Sequence, residues 1–252
     1  MLLLTNPNNP LGIIYESNVI FDAIAWARNK KLHTVVDEIY ALSEHKDKHK
    51  FESVLQILNN ELKHDVHMIW GLSKDFGCSG LRIGILSTQN KLLLKALESL
   101  NTMSGVPNPM QGILANVLSD DVFVDSFLKE SAIRLRKSYD LCITTLDEIK
   151  IPYIPAEAGL FVYCDFSTLF PDNHSLSFEW EDRFFDLMAN VARIILTPGK
   201  CQRETKVGSF RICYAYIGYE ILEIAMERMK FVVEYIRANG WDNVSSLTID
   251  DL

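Results

Sequence analysis

The residue with the most distinctive chemical setting in this sequence is Lys74, which lies in the glycine-rich stretch Gly71–Gly84. The apolar run Val66–Trp70 leads directly into that stretch and has the composition of a buried strand. Lysine is seldom buried unless it is paired or used chemically. A positioned lysine amine forms Schiff bases with carbonyl compounds, including the aldehyde of pyridoxal phosphate. Arg82, eight residues after Lys74, could bind a phosphate group through its guanidinium.

A carboxylate, Asp37, follows the β-branched run Thr34–Val36, which predicts a short strand. In a parallel sheet, ligand-binding groups lie at the carboxyl ends of the strands. Asp37 could therefore pair with a protonated pyridine nitrogen, and Tyr40 could donate a hydrogen bond to the oxygen of the same ring. A strand-end cap and a packed aromatic are the structural alternatives for these two residues. The presence of Lys74 downstream favours the functional interpretation.

A second cationic residue, Arg211, lies within the apolar run Phe210–Ala215, which predicts a strand. A buried arginine requires an anion. Its guanidinium can hold an α-carboxylate through two parallel hydrogen bonds. The alternative is a structural ion pair with an acidic side chain, and the substrate role is favoured.

Four stretches, taken together and in order, resemble the motifs of class I and II aminotransferases, whose fold is like that of aspartate aminotransferase. They are TNPNNPLG at Thr5–Gly12, VVDEIY at Val35–Tyr40, GLSKDFGCSGLRIG at Gly71–Gly84 and FRICYA at Phe210–Ala215. Within that family the sequence most resembles 1-aminocyclopropane-1-carboxylate synthase and its synthase-like relatives. The resemblance covers nearly the whole chain.

This resemblance implies pyridoxal 5'-phosphate as the cofactor and an amino acid as the substrate. The residues that it assigns to the site are Lys74 as the catalytic, cofactor-binding lysine, Asn9, Asp37 and Tyr40 around the cofactor ring, Ser73 and Arg82 at its phosphate, and Arg211 at the substrate carboxylate. One position departs from the family pattern, because Gly71 stands where members usually have a serine that donates to the phosphate. The missing hydrogen bond corresponds to about 1.5–3 kcal/mol of binding free energy.

The expected fold is α/β, with a truncated large domain that has a mostly parallel sheet, followed by a smaller α+β domain. Because Gly105–Pro109 breaks a predicted helix, the large cofactor-binding domain is expected at residues 1–106, and an interdomain helix with the small domain at residues 107–252. Leu2–Leu4 is expected to be a central strand, so the sequence is expected to lack an N-terminal part that family members carry. The resemblance also implies a homodimer.

Three reactions share the steps that these residues could perform on an amino acid. Elimination of a γ-leaving group gives the synthase reaction, protonation at the cofactor carbon gives transamination, and β-elimination gives a carbon–sulfur lyase. A synthase-like lyase is the leading hypothesis, and an aminotransferase is the second. A non-catalytic synthase-like protein is the alternative of a different class, and Gly71 together with the missing N-terminal segment favours it.

The composition narrows the classes of partner and location. A net charge of −8 over 252 residues makes a nucleic-acid or anionic-membrane partner unexpected, and no apolar run has the length of a membrane span. Five scattered cysteines without a CxxC pair predict reduced thiols in a cytosolic protein. His45 and His49 lie four residues apart, but the interleaved lysines would repel a cation, so no metal site is expected.

Overall fold

The computed structural model describes residues 1–45, 50–171 and 177–249, and their contacts divide the chain into two compact units. Unit 1 consists of Met1–Asn9, Ile13–Arg134 and Glu157–Gly159, and unit 2 of Pro10–Gly12, Leu135–Ala156 and Leu160–Leu252. The chain thus crosses from the first unit to the second within one long helix.

The centre of unit 1 is a sheet of four strands in the order β1-β2-β3-β4. The strands are β1 at Leu2–Thr5, β2 at Thr34–Asp37, β3 at Val66–Gly71 and β4 at Gly84–Thr88. The first two pairings are parallel and the third is antiparallel, which confirms the expected mostly parallel sheet. Consequently, β1, β2 and β3 end at one edge of the sheet, and β4 begins there. We call this edge the carboxyl edge.

Six α-helices begin in the described part of unit 1. They are α1 at Ser17–Asn29, α2 at Val54–Ile57, α3 at Leu72–Asp75, α4 at Lys91–Ser104, α5 at Asn108–Leu118 and α6 at Asp121–Glu148. Ile20 and Ile24 of α1 recur at helical spacing, and both are buried in a cluster with Val36, Val66 and Met68 of the sheet. This packing fixes one face of the strands that lead to the carboxyl edge.

Unit 2 is built on an antiparallel sheet in the order β5-β6-β8-β7. Its strands are β5 at Tyr153–Ile154, β6 at Phe161–Asp165, β7 at Thr197–Pro198 and β8 at Ser209–Cys213, and its further helices are α7 at Phe178–Leu187 and α8 at Tyr219–Asn239. Phe166, Phe184 and Phe210 are fully buried and meet with ring centroids 4.8–5.7 Å apart, so an aromatic cluster forms part of the unit 2 core.

The boundary between the two units does not lie at residue 106, where the domain boundary was expected. A break does separate α4 from α5, at residues 105–107, but both helices belong to unit 1. The division falls instead after Arg134, within α6. From Leu135 onward the helix is buried in the unit 2 core, through Tyr139, Cys142 and Leu146. Packing, rather than the break in the helix pattern, therefore decides where one unit gives way to the other.

Three local expectations also change in the structure. Lys74 lies in a one-turn helix rather than in a loop. Among the described residues β1 is an edge strand rather than a central one, and Leu3 on it is 58% exposed. The apolar run Ile194–Leu196 and the residues up to Gly199 favour a strand, but the strand is reduced to Thr197–Pro198, because a π-helical turn extends to Ala192 and Arg193 takes the left-handed conformation.

Candidate active site

The predicted site residues of unit 1 are distributed along the carboxyl edge. Asn9 follows β1, Asp37 ends β2, Lys74 follows β3, and Arg82 precedes β4. The register places Thr5 beside Asp37 and Asp37 beside Ile69, so β1 and β2 end at the same level and β3 ends two residues beyond them. In parallel sheets this is the edge at which ligands bind.

Lys74 is presented by α3, a single helical turn that begins directly after β3. The turn is anchored by Leu72, which is 2% exposed, and Cys78 closes it by donating its backbone N–H to the Leu72 carbonyl at 3.0 Å. Ser73 and Lys74 are half-buried on this turn. The lysine therefore occupies a defined backbone position at the carboxyl edge.

Asp37 is a half-buried carboxylate with one hydrogen bond, which Oδ1 accepts from the Ile39 backbone N–H at 3.1 Å. Burial raises the pKa of Asp37, and that hydrogen bond lowers it by less. No cationic side chain in the described ranges forms an ion pair with it. A carboxylate that is removed from water without a counter-charge is suited to a cationic ligand atom such as a protonated pyridine nitrogen.

Tyr40 is buried at the start of the turn that follows β2. Its carbonyl accepts the Ser43 N–H at 3.1 Å, and this bond shapes the turn. Asn9, by contrast, is exposed. Both positions lie on segments that leave the carboxyl edge, as expected from their places after β2 and β1.

Arg82 lies between α3 and β4 with a left-handed backbone, φ 55°, and its side chain is exposed. Its Nη1 donates to the Ser79 carbonyl at 2.9 Å, which orients the guanidinium. One N–H of five is used in this bond, so the group keeps donors for an anion. The arrangement suits the phosphate role that the sequence assigned to Arg82.

Asp75 was not identified from the sequence, although it directly follows Lys74. Its side chain accepts three hydrogen bonds, from Ser43 Oγ at 2.5 Å, Trp70 Nε1 at 2.7 Å and the Leu42 backbone N–H at 3.1 Å. Burial raises the pKa of Asp75 to about 6, although these hydrogen bonds oppose the shift. An aspartate beside a lysine is an ordinary sequence feature, so no local signal could have revealed these contacts.

In unit 2, Arg211 is half-buried on β8 between β6 and β7. Its Nη2 donates to Thr197 Oγ1 at 3.4 Å, and its guanidinium carbon lies 4.9 Å from the centre of the Phe161 ring. A guanidinium this close to an aromatic ring gains a cation–π contact, and its planar fork of N–H donors suits bidentate binding of a carboxylate.

His45 and His49 are the two histidines that were considered as metal ligands. His45 is buried, whereas residues 46–49 lie outside the described ranges. Within those ranges, no group of three or more histidine, cysteine, aspartate or glutamate side chains is arranged to hold a metal ion. The five cysteines are all free thiols, and none of the described helices is long and apolar enough to cross a bilayer.

Comparison of the sequence with protein families gives a match to aminotransferase class I and II over residues 1–229. Among curated proteins, the chain is 33% identical over 234 residues to 1-aminocyclopropane-1-carboxylate synthase 2 of Arabidopsis thaliana, covering 91% of this chain and 47% of that protein. It is also 33% identical over 236 residues to synthase 4 of Solanum lycopersicum, covering 92% and 49%. The chain thus spans about half the length of these relatives.

Comparison of the structure with solved structures gives the same architecture. An aromatic aminotransferase from Pyrococcus horikoshii matches with a TM-score of 0.79 and 21% identity, over 94% of this chain and 60% of that one. A Thermus thermophilus aspartate aminotransferase variant matches with a TM-score of 0.76 and 22% identity, over 92% and 56%. These likenesses establish the expected aspartate aminotransferase-like fold.

Proposed function

Because the chain belongs to the aminotransferase class I and II family, whose members depend on pyridoxal phosphate, we propose that it is part of an enzyme that uses this cofactor to act on an amino acid. The observation that carries the proposal is the position of Lys74. It lies on a one-turn helix directly after β3, at the sheet edge where Asp37 ends the neighbouring strand.

The residues of the carboxyl edge fit the cofactor. Lys74 would hold it through the side-chain amine, and Asp37 would face the ring nitrogen, since its carboxylate is half-buried and lacks a cationic partner among the described residues. Asn9 and Tyr40 would bind at the ring oxygen, and Ser73 with Arg82 at the phosphate. When bound, the cofactor supplies an electron sink for the charge left when the substrate α-carbon loses its proton.

Two side chains would act directly on the substrate. The Arg211 guanidinium would bind the α-carboxylate through paired N–H donors and so orient the amino acid. The Nζ atom of Lys74 would take the proton from the α-carbon, because an unprotonated amine can act as a general base. The synthase reaction, transamination and β-elimination all begin with this proton transfer.

We favour a synthase-like lyase among these outcomes, since the curated relatives that match at 33% identity are 1-aminocyclopropane-1-carboxylate synthases. Such a lyase would join the α- and γ-carbons of its substrate as the γ-leaving group departs with the bonding electrons. An aminotransferase is the second candidate, followed by a carbon–sulfur lyase. Gly71, which offers no hydroxyl for the phosphate, favours a non-catalytic synthase-like protein as the candidate outside the enzymes.

Spectroscopy of the purified chain with added pyridoxal phosphate tests the proposal. We expect a new absorbance band that borohydride reduction fixes as a covalent adduct on the peptide containing Lys74. The variant Lys74→Ala should lose the adduct, whereas Lys129→Ala, which removes an exposed lysine of α6, should retain it. A folded chain without an adduct would contradict the enzyme proposal and favour the non-catalytic one. Product analysis with amino acids that carry a γ-leaving group then separates 1-aminocyclopropane-1-carboxylate from a keto acid.

A homodimer in the cytosol completes the proposal. No described side chain of α4 or α5 is buried, and Leu92, Leu100 and Ile113 on these helices are 82%, 64% and 55% exposed. Helices without buried side chains that carry several large, exposed apolar residues are typical of contact surfaces. Sedimentation velocity should give a dimer that Leu100→Lys weakens, and a monomer at every concentration would contradict it. The five free thiols support the cytosolic location.

A further inference from the structure

Asp75 has no part in the chemistry proposed above, yet it connects three segments of the carboxyl edge. The residue belongs to α3, the donor Trp70 Nε1 belongs to β3, and the donors Ser43 Oγ and Leu42 N–H belong to the turn after β2. The carboxylate is 4% exposed, so water competes little for these bonds. One side chain thus fastens the lysine turn to the segment that follows Asp37 and Tyr40.

The helix that carries Lys74 depends on such contacts. It has four residues, and a single helical turn fixes several dihedral angles for very few hydrogen bonds. The turn therefore takes its position from tertiary contacts, of which Leu72 supplies the apolar one and Asp75 the polar ones. Lys74 lies between these two anchored residues in the chain, so their contacts determine the position of its Cα atom.

A charged side chain is an expensive way to make these bonds. Burial raises the pKa of Asp75 to about 6, which means that ionisation at neutral pH costs folding stability. An asparagine has the same shape, accepts hydrogen bonds at its oxygen and carries two N–H donors on its nitrogen, without a charge. Because the charge itself costs stability, the three hydrogen bonds, and not the charge, are what Asp75 contributes to the lysine turn.

We propose that Asp75 is a positioning residue for Lys74, because its three hydrogen bonds hold the lysine turn against the Leu42–Ser43 turn. The inference rests on the proposed function, since it assigns to Lys74 the reaction with pyridoxal phosphate. Without the carboxylate, the turn that carries Lys74 would no longer be held in one position. Its amine would then react more slowly with bound pyridoxal phosphate.

The test compares Asp75→Ala, which removes all three bonds, with Asp75→Asn, which keeps the shape and most of the bonds. The matched control is Glu181→Ala in unit 2, which removes a fully buried carboxylate that accepts the Lys200 and Gly208 N–H groups at 3.1 and 3.0 Å. For each variant, the rate at which pyridoxal phosphate is fixed on Lys74 by borohydride is divided by the rate of reductive methylation of Lys74 with formaldehyde. The small aldehyde needs access but no positioning.

We expect Asp75→Ala to lower this ratio about tenfold or more, the effect of losing a hydrogen bond to a charged group, while Asp75→Asn stays within about threefold of the wild type. Glu181→Ala should leave the ratio unchanged although it destabilises unit 2. An unchanged ratio in Asp75→Ala, or an equal fall in Glu181→Ala, would overturn the proposal.

Hydrogen exchange of the cofactor-free chain separates this inference from the proposed function. If the wild type fixes no pyridoxal phosphate on Lys74, the proposed function fails, and exchange alone decides whether Asp75 holds the turn. We expect Asp75→Ala to speed exchange of the amides of residues 72–78 about tenfold or more beyond any change in α1, with Asp75→Asn restoring the slow rate. Exchange at the wild-type rate in Asp75→Ala would refute the inference.

Discussion

A Cβ atom at Gly71 would lie 2.8 Å from the carbonyl oxygen of Ile83. The two residues meet because Gly71 pairs with Gly84 at the end of the antiparallel β3–β4 ladder. The same Cβ would lie 3.3 Å from Cδ1 of Ile39. The serine that the family usually has at this position would not fit here, because the neighbouring backbone occupies the space that its side chain would need.

Gly71→Ser should consequently destabilise the chain and should not raise its affinity for pyridoxal phosphate. The side chain would meet backbone atoms that cannot rotate away, and overpacking of this kind costs about 1–3 kcal/mol. Urea unfolding gives the stability change, and fluorescence titration gives the affinity. Gly80→Ala is the control, since a Cβ there has no neighbour within 4 Å. A Gly71→Ser variant of unchanged stability with tighter cofactor binding would contradict this account.

The pKa of Asp75 predicts an unusual dependence of stability on pH. Its ordinary value of 3.8 rises to about 6 on folding, so between these values the folded state binds more protons than the unfolded state. The contribution of Asp75 to stability therefore falls as pH rises from about 4 to about 7, by roughly 3 kcal/mol at 1.36 kcal/mol per pKa unit. Relative to Asp75→Asn, the wild type should lose stability over this range in urea unfolding.

Asp65, in the same unit, should show the opposite dependence of stability on pH, and the variant Asp65→Asn tests this. Burial raises the pKa of Asp65, but the hydrogen bond and the charge of Arg28, whose Nε lies 2.8 Å from Oδ2, outweigh burial and lower it overall. A lowered carboxylate pKa stabilises the folded state above the unfolded value and loses that effect as pH falls. The advantage of the wild type over Asp65→Asn should therefore shrink in acid. If the stability difference from the wild type varied with pH in the same direction for Asp75→Asn and Asp65→Asn, the pKa shifts assigned to both residues would be contradicted.

Arg82→Gln should weaken binding of pyridoxal phosphate but not of pyridoxal, which has no phosphate. The guanidinium is held by its hydrogen bond to the Ser79 carbonyl and retains donors for an anion. Loss of a charge-assisted hydrogen bond costs about 1.5–3 kcal/mol, which is roughly a tenfold to hundredfold change in the dissociation constant. Titrations with both compounds measure the effect.

Arg134→Gln is the control for this prediction, because Arg134 is exposed on α6 and pairs with Glu130 of the same helix. Equal losses for pyridoxal and pyridoxal phosphate in Arg82→Gln would show that the residue acts on the fold rather than on the phosphate.

Arg211→Lys should lower kcat/KM for the amino acid about tenfold or more while the covalent adduct on Lys74 still forms. A lysine cannot reproduce the paired N–H donors or the contact of the guanidinium with the Phe161 ring. Arg183→Lys is the matched control, since the Arg183 guanidinium carbon lies 4.6 Å from the centre of the Trp180 ring in the same unit. Similar losses in both variants, or loss of the adduct, would contradict a substrate role for Arg211.

The sequence alone determined the elements of the carboxyl edge and the residues that end them. Val66–Trp70 has the composition of a strand, and the spacing of Ile20, Ile24 and Ala27 predicts a helix from Glu16 or Ser17 to about Lys30. Both patterns are local, so the sequence alone reveals them. Asn9, Asp37 and Lys74 could be placed at one edge for the same reason, since each follows a strand and parallel strands end together.

Only the tertiary structure decided which distant atoms meet at that edge. Asp75 accepts hydrogen bonds from Leu42 and Ser43, which are more than thirty residues away, and no local pattern records such a pairing. Gly71 is closed off by Ile83 because β4 turns back antiparallel, and the division within α6 depends on which core takes up the helix. Local sequence specifies backbone conformation, whereas packing and burial set the contacts that give the side chains their chemistry.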